Sequence, residues 1–461
     1  MTQTLRRSRV NGAKPTMAAR DGLTRESTVA AARTIAALAL LHCALPANVA
    51  LTGVALIRNA LTHPTPASTS KGLTILLSGG KMTKALHLAR SFHAAGHRVI
   101  LVESRRYWMT GHRFSRAVDR FYTVPECDDP GYAEALRQIV VREGVDVYVP
   151  VCSPASSYYD ALAAAMLAPH CEVLHASADL IETLDDKERF AALATSIGLS
   201  MPQSYRITAA QQVADIERTA SGHPFILKSI AYDPVHRLDL TPLPKPSREE
   251  TMAFAERKPI AEDNPWVLQE FIDGQEFCTH STFREGRVVT YVCCPSSSFL
   301  VNYTAVDKPK IQAWVTEFAA ALGVSGQISL DFIEDEHGEI YAIECNPRTH
   351  SAITLFTDPA ALAQSYLDGD ISMLTPAVTS RPTYWLYHEI WRLLARPVTA
   401  RERLSTIIQG RDAVFDWSDP LPFLLLHHLQ IPWLLLENLR QGTGWVRIDF
   451  NIGKLVAPGG D

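Results

Sequence analysis

Four side chains in one short stretch could do chemistry together. They are Asp331, Glu344, Asn346 and Arg348, within ISLDFIEDEHGEIYAIECNPR at residues 328–348. The stretch predicts a β-hairpin, with apolar strands at 328–333 and 340–345 joined by a polar turn at 335–338. On paired strands Asp331 and Glu344 can point into one cleft, and Asn346, two residues past Glu344, keeps the same face. Two carboxylates and an amide are hard oxygen donors, suited to Mg2+ (or Mn2+ in its place) bridging the phosphates of a nucleotide. Arg348 could meet negative charge on a transferring phosphoryl group or on an activated substrate oxygen. An acidic hairpin with a solvated edge has the same residue pattern, so the metal reading depends on partners elsewhere.

Such partners precede the hairpin. Lys228 sits in PFILKS, inside an apolar strand at 223–230, where a lysine must either snorkel or meet an anion. Lys187 stands in the first turns of a helix at 183–194 opened by acidic residues. A strand at 266–272 carries Gln269, Glu270, Phe271 and Ile272; its end could offer a carbonyl and an N–H to adenine, and Glu276 could accept from ribose hydroxyls. With the two lysines against a triphosphate, the set meets the needs of phosphoryl transfer without a covalent nucleophile. Strands at 276–283 and 287–294 and a helix at 311–322 complete the run into the hairpin.

The remaining chain must position these groups. At 461 residues it can bury a large core and predicts two to four domains. A net charge of −5 argues against nucleic acid as a partner, and eight scattered cysteines without a CxxC pair suit a reducing cytoplasm rather than a zinc site. Residues 1–28 are basic and predict a poorly ordered end. The uncharged apolar run at 34–57 reads as a secretory signal, a single membrane span, or two short helices broken at Pro46. The third reading is preferred, as a membrane-associated or self-packing segment. Residues 63–71 predict a linker.

From Thr74 the order is strand (74–77), Gly-Gly turn, helix (83–95) and strand (98–103), half of a Rossmann-like unit without GxGxxG. A further strand at 146–152 follows. Ser78, Gly79, Gly80 and Lys81, at a strand's carboxyl end, are candidates for substrate contact, as are His350 and Ser351 beside Arg348. Residues 376–461 form an apolar, aromatic, helical extension, read as a packed lid or interface, and the loop at 231–247 is a candidate lid.

Taken in order, DDKERF, PFILKS, QEFIDGQE and the acid-NPR hairpin resemble the ATP-grasp ligases over roughly residues 72–360. The resemblance implies an α/β and α+β architecture: a Rossmann-like pre-ATP-grasp domain at 72–182, a two-part ATP-grasp domain at 183–375, and the helical carboxyl-terminal extension. It implies ATP and Mg2+ as cofactors and small molecules, an oxygen acceptor and an amine, as partners. A homo-oligomer and cytoplasmic placement with peripheral membrane contact agree with it. One departure stands out. Where the family carries a glycine-rich flap after the second lysine, this chain reads AYDPVHR, and Arg237 could take over from the missing backbone donors. ECNPRTHSAITLF and GWVRIDFNIGKLV are similar to one branch, the mycosporine-glycine synthases. That implies ATP-dependent activation of an oxygen of 4-deoxygadusol, a cyclohexenone, followed by displacement of phosphate by glycine. A carboxylate–amine ligase and a non-catalytic, membrane-tethered nucleotide-binding regulator are the rival readings.

Overall fold

The computed structural model describes residues 17–62 (backbone only for 17–29), 72–216, 223–230, 239–296, 302–395 and 397–457. The start of the basic end, the 63–71 linker, and residues 231–238 of the candidate lid, with Arg237, lie outside the described residues.

The apolar amino-terminal run is one helix, α1 (Met17–Thr62), with Pro46 inside it. The expected break does not form. Proline removes one ladder bond, but anchors on both sides of it hold the helix to the protein: Thr34 accepts from Trp445 Nε1 at 2.9 Å, and Asn48 donates to the Tyr387 hydroxyl at 2.6 Å. The pattern is inverted. Polar Thr34, Asn48 and Thr52 are buried, while Ile35, Leu40, Val54, Ile57 and Leu61 are exposed. The helix is long and apolar enough to cross a membrane, by length and composition only.

Next come β1 (Thr74–Leu77), α2 (Thr83–Ala94), β2 (Arg98–Ser104), β3 (Arg120–Val124), α3 (Tyr132–Glu143), β4 (Val147–Val149), α4 (Ser157–Leu167) and β5 (Glu172–Val173). Their strands form a parallel sheet in the order β3-β2-β1-β4-β5. TILL, VILV and VYV are apolar on both faces, as a sheet covered by helices on both sides requires. The expected strand at 146–152 shrinks to β4 because Pro150 has no N–H for the ladder.

The helix expected at 183–194 is two, α5 (Ala178–Asp185) and α6 (Lys187–Ser196). Asp186 leaves helical geometry and caps α6, its carboxylate accepting from the Glu188 and Arg189 amides at 2.9 and 3.1 Å. A small antiparallel sheet follows, β6 (Ser204–Ile207), β8 (Trp266–Glu270) and β7 (Phe225–Ser229) in that spatial order. It is backed by α7 (Ala210–Ala214) and α8 (Arg248–Ala255) through Val213, Phe254 and Trp266. The larger antiparallel sheet has the order β10-β9-β12-β13, from β9 (Gly274–Arg284), β10 (Arg287–Pro295), β12 (Gly326–Asp335) and β13 (Ile340–Asn346). Between β10 and β12 run β11 (Asn302–Tyr303) and α9 (Pro309–Leu322), whose Trp314, Val315 and Phe318 pack on Phe277, Leu330 and Phe332. Through α2 and α10 (Pro359–Leu367), one core joins the parallel sheet to this one: Leu77, Phe92 and Val149 share it with Val292, Ile353 and Tyr366.

The carboxyl-terminal region is not purely helical. β14 (Thr383–Tyr384) pairs with β11 and β15 (Arg411–Asp412), flanking α11 (Leu386–Ala395) and α12 (Ala400–Gln409). After α13 (Leu421–Leu425) and α14 (Ile431–Gln441), β16 (Arg447–Asp449) and β17 (Lys454–Val456) make a terminal hairpin. Two-residue strands carry no periodic signal, so the sequence reads as helix and loop there.

Candidate active site

Asp331 and Glu344 stand opposite each other in the β12–β13 ladder, and Asn346 pairs with Ser329 two positions along. A register shift between Asp331 and Phe332 twists the strand at the acid itself. Asn346 Nδ2 donates to Asp331 Oδ2 at 3.2 Å, and its amide oxygen accepts from the Arg348 guanidinium. Acid, amide and guanidinium are therefore one connected set.

The break between α5 and α6 docks on this hairpin. Lys187, the first residue of α6, pairs with Glu344 at 3.0 Å, and Asp185, the last of α5, pairs with Arg348 at 3.4 Å. Lys228 enters from the small sheet. Its ammonium donates to Gln269 Oε1 at 2.9 Å, Gln269 being held by Ser204 Oγ at 3.4 Å. Glu276, exposed near the start of β9, pairs with Ile333 in the ladder and lies within electrostatic reach of both Lys228 and Asp331.

The cleft is electrostatically loaded. Burial, reinforced by Glu344, pushes Asp331 up to about 7, against the pull of Arg348. Burial would raise Glu344 too, but Lys187, Arg348 and Lys228 outweigh it and hold its pKa low. Burial lowers Lys228, opposed by Glu344. Two carboxylates so close, one driven toward its neutral form, are the donor set that a divalent cation satisfies. Asp331 and Glu344 would hold Mg2+, with Asn346 contributing its amide oxygen if it is shared with Arg348. Lys187 and Lys228 would flank the phosphates.

No family model matches the sequence. The chain is similar to the carbamoyl phosphate synthase large chain of Vibrio parahaemolyticus, at 25% identity over 213 residues. It is similar also to multifunctional protein pyr1-3 of Dictyostelium discoideum, at 24% over 201 residues. These matches cover 41% and 38% of this chain but only 18% and 8% of the relatives, so the chain spans a small part of their length. Among solved structures, N5-carboxyaminoimidazole synthetase from Staphylococcus aureus complexed with ADP superposes with a TM-score of 0.51 at 14% identity, over 68% of this chain and 81% of that one. The Aspergillus clavatus enzyme, in complex with ADP and its aminoimidazole ribonucleotide, gives 0.50 at 16%, over 68% and 80%. The chain has the ATP-grasp fold.

The other predicted residues take varied places. The Glu270 and Phe271 amides are already bonded to the Gln203 and Pro224 carbonyls at 2.7 and 2.8 Å. The Glu270 carboxylate accepts from the Gln203 amide at 3.1 Å and faces His223, and Ile272 is buried. His350 accepts from the Ala352 amide at 3.2 Å and packs edge-on to Tyr303; burial brings it down to about 3. Ser351 donates to Asn451 Oδ1 at 2.9 Å. Around the Gly79-Gly80 turn the amides are spoken for: Gly80 donates to Val102 O, Lys81 to Glu103 Oε2, Met82 to Gly79 O and Thr83 to Asn451 O. Ser78, Gly79 and the Lys81 side chain line a cavity instead.

Two residues passed over in the sequence belong to the site's frame. Asp185 was hidden in a run of acids at a helix end. Lys84 is fully enclosed, donating to Thr349 O at 2.6 Å and Cys152 O at 3.2 Å. A signal for it existed: Lys84 shares a helical stripe with Leu88 and Ser91, both buried, so a lysine there needs a polar destination.

Proposed function

We propose that the chain is an ATP-dependent ligase that phosphorylates an oxyanion acceptor, a carboxylate or its vinylogous equivalent, and lets an amine displace the phosphate. One observation supports it: Lys187 from α6, Lys228 from β7, Asp331 from β12, Glu344 and Asn346 from β13, and Arg348 just after it, converge on the Asp331–Glu344 pair. A bound Mg2+ would supply charge neutralisation between the phosphates and the acceptor. The chain's own residues do the rest. Lys187 and Lys228 orient the triphosphate, and Arg348, held by Asn346 and Asp185, stabilises the oxyanion as the amine attacks. The γ-phosphoryl passes to the acceptor oxygen, ADP departs, and the amine nitrogen bonds to carbon. The C–O bond then breaks, with phosphate taking the electron pair and the amine losing its proton.

At finer grain we propose 4-deoxygadusol and glycine as the pair, giving mycosporine-glycine, ADP and phosphate. The ECNPRTHSAITLF and GWVRIDFNIGKLV segments support this assignment. An enolate oxygen of that acceptor is a vinylogous carboxylate, so the same cleft chemistry serves both acceptors. Incubation with ATP, Mg2+ and a panel of acceptors and amines, followed by product mass, tests it. ADP release requiring both the cyclohexenone and glycine supports the finer reading. Release with an ordinary carboxylate and amine leaves the ligase and removes the substrate assignment. ATP binding that no pair turns over removes both and favours a regulator.

A further inference from the structure

We propose that Lys84 and Ser157 are positioning residues that aim Arg348, holding the main chain on either side of it from the parallel-sheet region. The proposal rests on the ligase reading above and adds which part of the fold sets the geometry of the acceptor step.

Arg348 lies just past the end of β13, on a loop at 347–350 that no strand or helix supports. A side chain there is placed only as well as its backbone is. The carbonyls before and after it are both held. Ser157 Oγ donates to the Pro347 carbonyl at 2.8 Å, and Lys84 Nζ donates to the Thr349 carbonyl at 2.6 Å. Lys84 sits in the first turn of α2, after β1, and Ser157 opens α4, after β4. β1 and β4 are neighbours in the parallel sheet, so the two tethers leave adjacent strand–helix connections. A third bond supports them. The Thr349 hydroxyl donates to Gln327 Oε1 at 2.7 Å, and Gln327 Nε2 donates to the Pro150 carbonyl, just past β4, at 2.9 Å.

Lys84 is kept at a cost. Its side chain is 6% exposed, and burial, with like charge from Arg348 and Lys81, brings it down to about 7. An apolar side chain would pack there without that penalty. What the amine supplies is a pair of N–H donors for two carbonyls, Thr349 past β13 and Cys152 past β4, the latter at 3.2 Å. Two N–H groups remain whether or not the third proton is bound, so the tether holds in either charge state.

The Arg348 guanidinium is fixed from the other side, by Asn346 Oδ1 and by Asp185 at 3.4 Å. Its backbone therefore hangs from one region and its side chain from another. Lys187 and Lys228, in contrast, are held by Glu344 and Gln269. Loosening the two tethers should disturb Arg348 and spare the nucleotide side.

Initial-rate kinetics and amide hydrogen exchange on the full chain test this. In Lys84→Met, kcat should fall roughly 10–100-fold while the KM for ATP stays within about twofold. Amides at 348–353 should exchange at least about tenfold faster, while those of β12 and β13 keep their protection. Ser157→Ala removes a single hydroxyl and carries the test if Lys84→Met does not fold; it should move both readouts the same way, by about two- to tenfold. Unchanged exchange at 348–353 in a folded variant, or a KM for ATP that rises as much as kcat falls, would overturn the proposal. Faster local exchange in a chain whose wild type turns over ATP with no acceptor and amine would keep the tethers and sink the ligase reading alone.

Discussion

The hairpin cleft and the cavity under the terminal hairpin are both built around charge, but they are assembled differently. The cleft takes its acids from two adjacent paired strands, Asp331 opposite Glu344 beside a register shift. The cavity draws Lys81, Arg106, Ser156 and Lys454 from distant segments, brought together by single contacts such as Asn451 on Thr83. Chemistry common to many substrates can sit on a rigid ladder.

Substitutions on the two sides should therefore fail differently. The largest loss should come from Glu344→Gln, which leaves nucleotide binding measurable but lowers ligation by roughly 10²–10³-fold. Near-normal turnover would remove the metal assignment. Lys228→Met should cut kcat/KM for ATP by roughly 10–100-fold with the acceptor KM little moved, read from initial rates against each substrate. Gly453→Ala should lower Tm, since Gly453 has φ +63° against the Lys81 carbonyl and strain at such a position costs about 1–3 kcal/mol. An unchanged melt would mean that the hairpin is not pressed on Lys81.

The smallest effect sharpens the cleft. Asp331 has its pKa raised from 3.8 to about 7. The folded chain then keeps a proton that the unfolded chain has lost, so this group's contribution to stability is present below pH 3.8 and lost as pH rises through about 7. Asp331→Asn should raise the Tm of the nucleotide-free protein above neutral pH and leave it unmoved at low pH. Conversely, Mg2+ binding must displace that proton, so Mg2+ affinity should strengthen between roughly pH 6 and 8 in wild type. A flat profile would contradict the coupling.

Much of the cleft was legible because the information is local. Alternation about Asp331 and Glu344, and a lysine amid Phe225, Ile226 and Leu227, are visible in a few residues. The split between α5 and α6 was not, because Asp185, Asp186 and Lys187 all tolerate helix, and only docking on the hairpin decides the break. The continuity of α1 through Pro46 was hidden for the same reason: its anchors lie more than three hundred residues away, on Tyr387 and Trp445. The close approach of Gly453 to Lys81 could not be read from NIGKLV, because the two lie far apart in the chain.

The most direct test of the central claim is a crystal structure of the full chain with a non-hydrolysable ATP analogue and Mn2+, read by anomalous scattering. One metal peak bridging the Asp331 and Glu344 carboxylates, with the triphosphate between Lys187 and Lys228, is the predicted result. A nucleotide bound elsewhere, with those carboxylates in solvent and no metal between them, would contradict it.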